Sequence, residues 1–85
     1  MFLHLGSDVM VPVKDVIAIY DHKTIEREEN RECFNQMKQD KEVIRIGSEE
    51  IKSYVVTDDK IYLSVISSLT LKKRAQSVKA MMAEK

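Results

Sequence analysis

The segment Val43–Ser68, VIRIGSEEIKSYVVTDDKIYLSVISS, decides the fold class of this 85-residue chain. Three short runs rich in Val, Ile and Tyr, at 43–47, 51–57 and 60–65, are separated by Gly47-Ser48-Glu49-Glu50 and by Asp58-Asp59. β-branched and aromatic residues bounded by polar turn residues read as strands, and connections this short join antiparallel neighbours. The reading predicts a three-stranded antiparallel meander. Ser67-Ser68 then closes the strand region and offers hydroxyl caps for a helix over 68–83. Along that helix Leu71, Ala75, Val78 and Met82 recur at helical spacing as one apolar stripe, with Met81 off it. Methionine fills irregular gaps, so Met81 is a candidate contact residue.

Upstream of the meander, Phe2-Leu3-His4-Leu5 alternates and is followed by the turn residues Gly6-Ser7-Asp8, so strands are expected at 2–5 and 9–13. Pro12, lacking an N–H, belongs at an edge or a break in pairing. The run Val16-Ile17-Ala18-Ile19-Tyr20 is dense in apolar residues, and a strand over 15–21, buried on both faces, is expected there. Thr24 followed by Glu26, Glu28 and Glu29 resembles a helix start with acids in the first turn, which predicts a surface helix over about 25–40. Its narrow apolar stripe is Cys33, Phe34 and Met37. The fold class is therefore α+β: a mostly antiparallel sheet, one covering helix and one C-terminal amphipathic helix, in a single domain over 1–85.

Composition bounds the function. Apolar residues make up 44% and charged residues 33%, the balance of a folded chain. So short a chain buries a modest share of its surface and gains from self-association. No apolar run reaches the roughly 20 residues that span a bilayer, and Met1–Gly6 lacks the features of a secretory signal, so a cytoplasmic location without membrane contact is expected. One cysteine, Cys33, and two histidines, His4 and His22, offer no metal-ligand spacing, and no cofactor motif or nucleophile constellation is present. These features predict no metal, no cofactor and no enzymatic activity. Asp58-Asp59 reads as turn chemistry rather than a cation site.

Fourteen Lys/Arg balance fourteen Asp/Glu, but the halves differ: residues 1–42 carry six bases against nine acids, and residues 43–85 eight against five. An anionic partner meets the C-terminal part first. There Lys72-Lys73-Arg74 opens the last helix, and phosphate contacts are the chemistry such a cluster supports. The same cluster also fits a purely solubilising role.

Several segments resemble a known family: His4-Leu5-Gly6, Val13-Lys14-Asp15-Val16-Ile17-Ala18-Ile19-Tyr20-Asp21, Val55-Val56-Thr57, Ile61-Tyr62-Leu63-Ser64, and above all Ser67-Ser68-Leu69-Thr70-Leu71-Lys72-Lys73-Arg74-Ala75-Gln76. Together they are similar to the RemB-type extracellular matrix regulatory proteins of Gram-positive bacteria, relatives of the RemA type. The resemblance spans nearly the whole chain. It implies a regulator of biofilm matrix genes that works as a homo-oligomer, with a ring as one form, contacting DNA or acting with a related regulatory subunit. Lys72, Lys73 and Arg74, with Lys14, Arg45 and Lys52, are the candidate phosphate contacts. Two positions depart from the RemA type: Ser48-Glu49-Glu50 replaces a basic hairpin, and Asp15 replaces an arginine. An interaction module that does not touch DNA is the competing reading.

Overall fold

Alternation at the N-terminus folds into a two-stranded antiparallel ribbon, β1 (Phe2–Gly6) with β2 (Val9–Pro12), in which Leu3 pairs with Val11 and His4 with Met10. Ser7 and Asp8 both take positive φ, 46° and 64°, the conformation a two-residue hairpin loop requires. The ribbon turns Leu3, Leu5 and Val11 inward and leaves Phe2, His4 and Met10 outside. A computed structural model describes the backbone of residues 1–83 and the side chains of residues 1–76.

After a 3-10 turn at Val13–Asp15, β3 (Ala18–Asp21) leads into two helices, α1 (His22–Glu26) and α2 (Glu28–Asp40). The strand expected over 15–21 is thus shorter, and the helix expected from residue 25 starts earlier and is broken. Asp21, not Thr24, caps α1, its carboxylate accepting the Lys23 N–H at 2.7 Å. Arg27 takes an extended conformation (φ −62°, ψ 136°) between the helices, and Asn30 Nδ2 ties across the break to the Thr24 carbonyl at 2.8 Å. There follow β4 (Glu42–Arg45), β5 (Ser53–Val56), β6 (Lys60–Ser64) and α3 (Ser68–Ala83).

The fold is α+β, and the six strands among the described residues lie in two sheets rather than one. The second sheet has four strands in the order β3-β5-β6-β4. β5 pairs antiparallel with both β3 and β6, as the short Asp58-Asp59 turn requires, but β4 lies parallel to β6, with Val43 opposite Ile61 and Arg45 opposite Leu63. The hairpin expected between 43–47 and 51–57 does not form. Residues 46–52 instead cross the end of β6, held by Ile46 N–H to Leu63 O (2.9 Å) and Lys52 N–H to Ser64 O (2.8 Å). Buried Ile46 is what favours this route, since it seats in the core beneath the crossing.

The sheet separates two apolar layers. On one face Ile19, Ile44, Val55 and Tyr62 pack with the ribbon residues Leu3, Leu5 and Val11 and with Leu71 of α3. On the other, Ala18, Tyr54, Val56 and Ile61 pack with Ile25, Phe34 and Met37 of α1 and α2. Phe34 and Tyr54 meet with ring centroids 4.8 Å apart, and Lys38 Nζ lies 5.2 Å above the Phe34 ring. Burial pushes the Tyr54 phenol upward, and the Glu26 charge adds to it. Of the helix stripe read from sequence, Phe34 is buried, Met37 half-buried and Cys33 exposed.

One polar side chain fastens the ribbon to the sheet. Ser64, buried, donates to the Leu5 carbonyl at 2.8 Å and accepts the Ile66 N–H at 3.1 Å. Replacing it by Ala leaves both groups without that partner, a change of about 1–3 kcal/mol. Urea denaturation of Ser64→Ala is expected to show a midpoint lowered accordingly; an unchanged midpoint would mean the bond contributes nothing.

Candidate nucleic-acid interface

The best-defined basic surface begins where α3 starts. Ser67 caps the helix: its Oγ accepts the Thr70 N–H at 3.2 Å, and its carbonyl accepts the Leu71 N–H at 3.1 Å. Ser67 donates its own hydroxyl proton to Thr70 Oγ1 (2.9 Å), while the buried Ser68 donates to Asp21 Oδ2 (3.4 Å). These hydroxyls therefore serve the fold and do not point at a ligand. The cations remain. Lys72, Lys73 and Arg74 are all exposed, and among the described residues none of them pairs with an acid. Arg74 reaches back over the ribbon to the His4 carbonyl at 3.3 Å. Lys72 borders a groove between β3 and α3 with Val16, Ile17 and Ala18.

Lys14, exposed on the 3-10 turn, borders a second groove with Met1, Phe2 and Pro12. Val13 lines both grooves, Lys72 bordering the first and Lys14 the second. Arg45 and Lys52 stand elsewhere. Arg45 donates from Nη2 to the Glu49 carbonyl at 2.7 Å, at the end of the sheet where Glu49 and Glu50 are exposed. Lys52 lies in a hollow with Asp21, His22, Glu50 and Ser67. Of the six candidate bases, Lys72, Lys73 and Arg74 stand together on the first turns of α3, and Lys14 lies on the 3-10 turn. Arg45 is spent on the Glu49 backbone, and Lys52 shares its hollow with Asp21 and Glu50.

Asp58-Asp59 belongs to the β5–β6 turn. Thr57 N–H bonds the Lys60 carbonyl at 2.8 Å, and Lys41 Nζ crosses from the far side to the carbonyls of Thr57 and Asp58. The hydrogen bond from Lys60, with the Lys60 charge, lowers the Asp59 carboxyl, and the same bond with the Asp59 charge raises the Lys60 ammonium. His22 Nδ1 lies 3.3 Å from Glu26 Oε1 one helical turn away. The i, i+4 spacing of His22 and Glu26 carried that signal in the sequence, but only once a helix is drawn from residue 22. The side chains of Val78, Met81 and Met82 lie outside the described residues.

A family model described as RemA-like, extracellular matrix regulatory protein A-like, matches residues 2–75. The chain belongs to this family. A relative, extracellular matrix regulatory protein B of Bacillus subtilis (strain 168), is 41% identical over 76 residues, covering 89% of this chain and 91% of the relative. The match to the RemA-like family takes in the ribbon, both apolar layers and the Lys72-Lys73-Arg74 turn of α3. Among the described residues of this RemA-like chain, no helix is long and apolar enough to cross a membrane.

Proposed function

We propose that this protein is a non-enzymatic bacterial regulator of extracellular matrix, or biofilm, gene expression, acting in the cytoplasm as a homo-oligomer that contacts DNA. The observation that carries the DNA contact is the run of three exposed bases, Lys72, Lys73 and Arg74, that no described acid neutralises. Consecutive bases on a helix address the phosphate backbone rather than base edges, so they supply affinity and position without fixing a sequence. Oligomers multiply the effect, because each copy adds its own phosphate contacts to one DNA molecule.

A second reading, an interaction module that regulates without touching DNA, is favoured by Glu49 and Glu50 beside Arg45 and by Asp15 beside Lys14. A gel shift with duplex DNA across a salt series separates the two. Neutralising phosphates releases counterions, so log affinity is expected to fall against log salt by about 0.9 for each contact. Absence of a shift at low salt, or binding that ignores salt, would leave the interaction module as the function.

A further inference from the structure

Both edges of the four-stranded sheet, β3 and β4, have a strand on one side only among the described residues. Each edge also carries an apolar side chain in water: Ile17, just before β3, is 64% exposed, and Val43 of β4 is 41% exposed. A bare edge with apolar flanks is a template for another strand.

The backbone determines which strand fits. Glu42 and Ile46 turn their N–H groups toward the β6 side, bonding Asp59 O and Leu63 O, so the period of two turns the peptide groups of Val43 and Arg45 outward. Likewise His22 N–H bonds Lys52 O on the β5 side, so Ile19 and Asp21 face outward from β3. Ile17 N–H also bonds inward, to Val56 O at 2.8 Å, so the strict alternation begins at Ala18 and only the Ile17 carbonyl is left to the edge. β3 and β4 also run in the same direction, since β5 opposes β3 and β6 while β6 runs with β4. A copy placed beside another in the same orientation therefore brings β4 against the neighbour's β3 as a parallel pair, the arrangement of a head-to-tail contact.

We infer that this chain assembles by adding β4 of one copy to β3 of the next, with Val43 opposite Ala18, so that one sheet runs through successive copies. The inference rests on the homo-oligomer proposed above and identifies its contact surface. Parallel bonding requires Val43 to straddle a residue whose own peptide groups face inward, which is Ala18 or Tyr20. With Ala18, Ile44 lands opposite Ile19, and both already belong to the layer beneath the ribbon. With Tyr20, Ile44 would meet the Asp21 carboxylate instead. The Ala18 register is also complementary in charge. Glu42, on the same face as Ile44, lands opposite Ile17, whose groove is bordered by Lys72, and Arg45 lands over the Tyr20 ring. Lys73 and Arg74 stay outside the seam, facing solvent.

Light scattering on edge variants tests this. Val43→Pro removes an outward N–H and leaves the β6 pairing intact, so it blocks the β4 edge; Ile17→Asp sets a carboxylate opposite Glu42 and blocks the β3 edge. Each variant alone is expected to be a folded single chain at concentrations where the parent is assembled. Mixed one to one they are expected to give a dimer and nothing larger, because each retains the edge the other lacks. Should Val43→Pro fail to fold by circular dichroism, Val43→Asp at the same exposed position replaces it. A parent that is itself a single chain would overturn both the homo-oligomer and the seam. An assembled parent whose folded edge variants keep the parental mass, or whose mixture stays monomeric, would overturn the seam alone.

Discussion

Leu71→Asp is expected to abolish cooperative folding. Leu71 is fully enclosed, 0% exposed, and it is the described α3 residue buried among Leu3, Leu5, Val11 and Val55. A carboxylate there has no cation within the apolar layer, and an unpaired buried charge costs several kcal/mol. A domain of this kind has about 5–15 kcal/mol of total stability, so the substitution removes most or all of it. Leu71→Ala grades the same packing: the missing side-chain atoms and the cavity they leave are expected to cost about 2–5 kcal/mol. Circular dichroism melts should show no transition for the aspartate variant and a lowered midpoint for the alanine variant. Parental melting of both would mean that α3 does not dock on the ribbon.

Replacing Lys72, Lys73 and Arg74 together by Gln is expected to weaken DNA binding at every sequence tested, by at least an order of magnitude at low salt. The slope of log affinity against log salt should become shallower by up to about 0.9 for each phosphate that is no longer neutralised. Folding is expected to survive, because exposed charged positions on a helix usually change stability by under about 0.5 kcal/mol each. The Leu71 docking of α3 is untouched by the change. As a companion, Glu49→Arg with Glu50→Arg removes two acids beside Arg45 and supplies two bases, which should strengthen binding if that end of the sheet also meets DNA. Unchanged affinity and slope in the triple variant would remove this surface from the proposed function.

Local signals in the chain were legible where they named an element, and they failed where elements compete for partners. The ribbon, the three strand segments from Val43 onward and the Ser67 cap all follow from alternation and turn chemistry, and the structure has them. The partner of β4 did not follow. Gly47-Ser48-Glu49-Glu50 has the composition of a hairpin turn, yet burying Ile46 and pairing Val43 with Ile61 carries β4 to the far side of β6. Val16–Tyr20 misled for a related reason. A dense β-branched run suits a central strand, and only the sheet order shows that β3 is an edge with Ile17 in water. At α1 the misreading was of geometry: Asp21 lies close enough to cap, and the break at Arg27 has no Gly or Pro to announce it. Of the candidate interface, the consecutive bases of α3 were visible at once. That Lys52 shares a hollow with Asp21 and Glu50, and that Arg45 is spent on the Glu49 carbonyl, depends on the fold.

The parallel pairing of β4 with β6 also bears on the birth of the protein. Glu42 takes its place opposite Lys60, eighteen positions later in the chain. At synthesis rates of about 5–20 residues per second, β4 waits roughly one to four seconds before its proper neighbour leaves the ribosome. During that interval β5 emerges with a compatible strand and a hairpin-like linker already in place. A nascent chain is thus offered a wrong partner first, and hairpins close within microseconds. Were that hairpin to close, β4 would have to release β5 and reseat across β6, so a substitution that improves the Gly47–Glu50 turn is expected to slow refolding in stopped-flow measurements; an unchanged rate would mean that the hairpin does not form on the way.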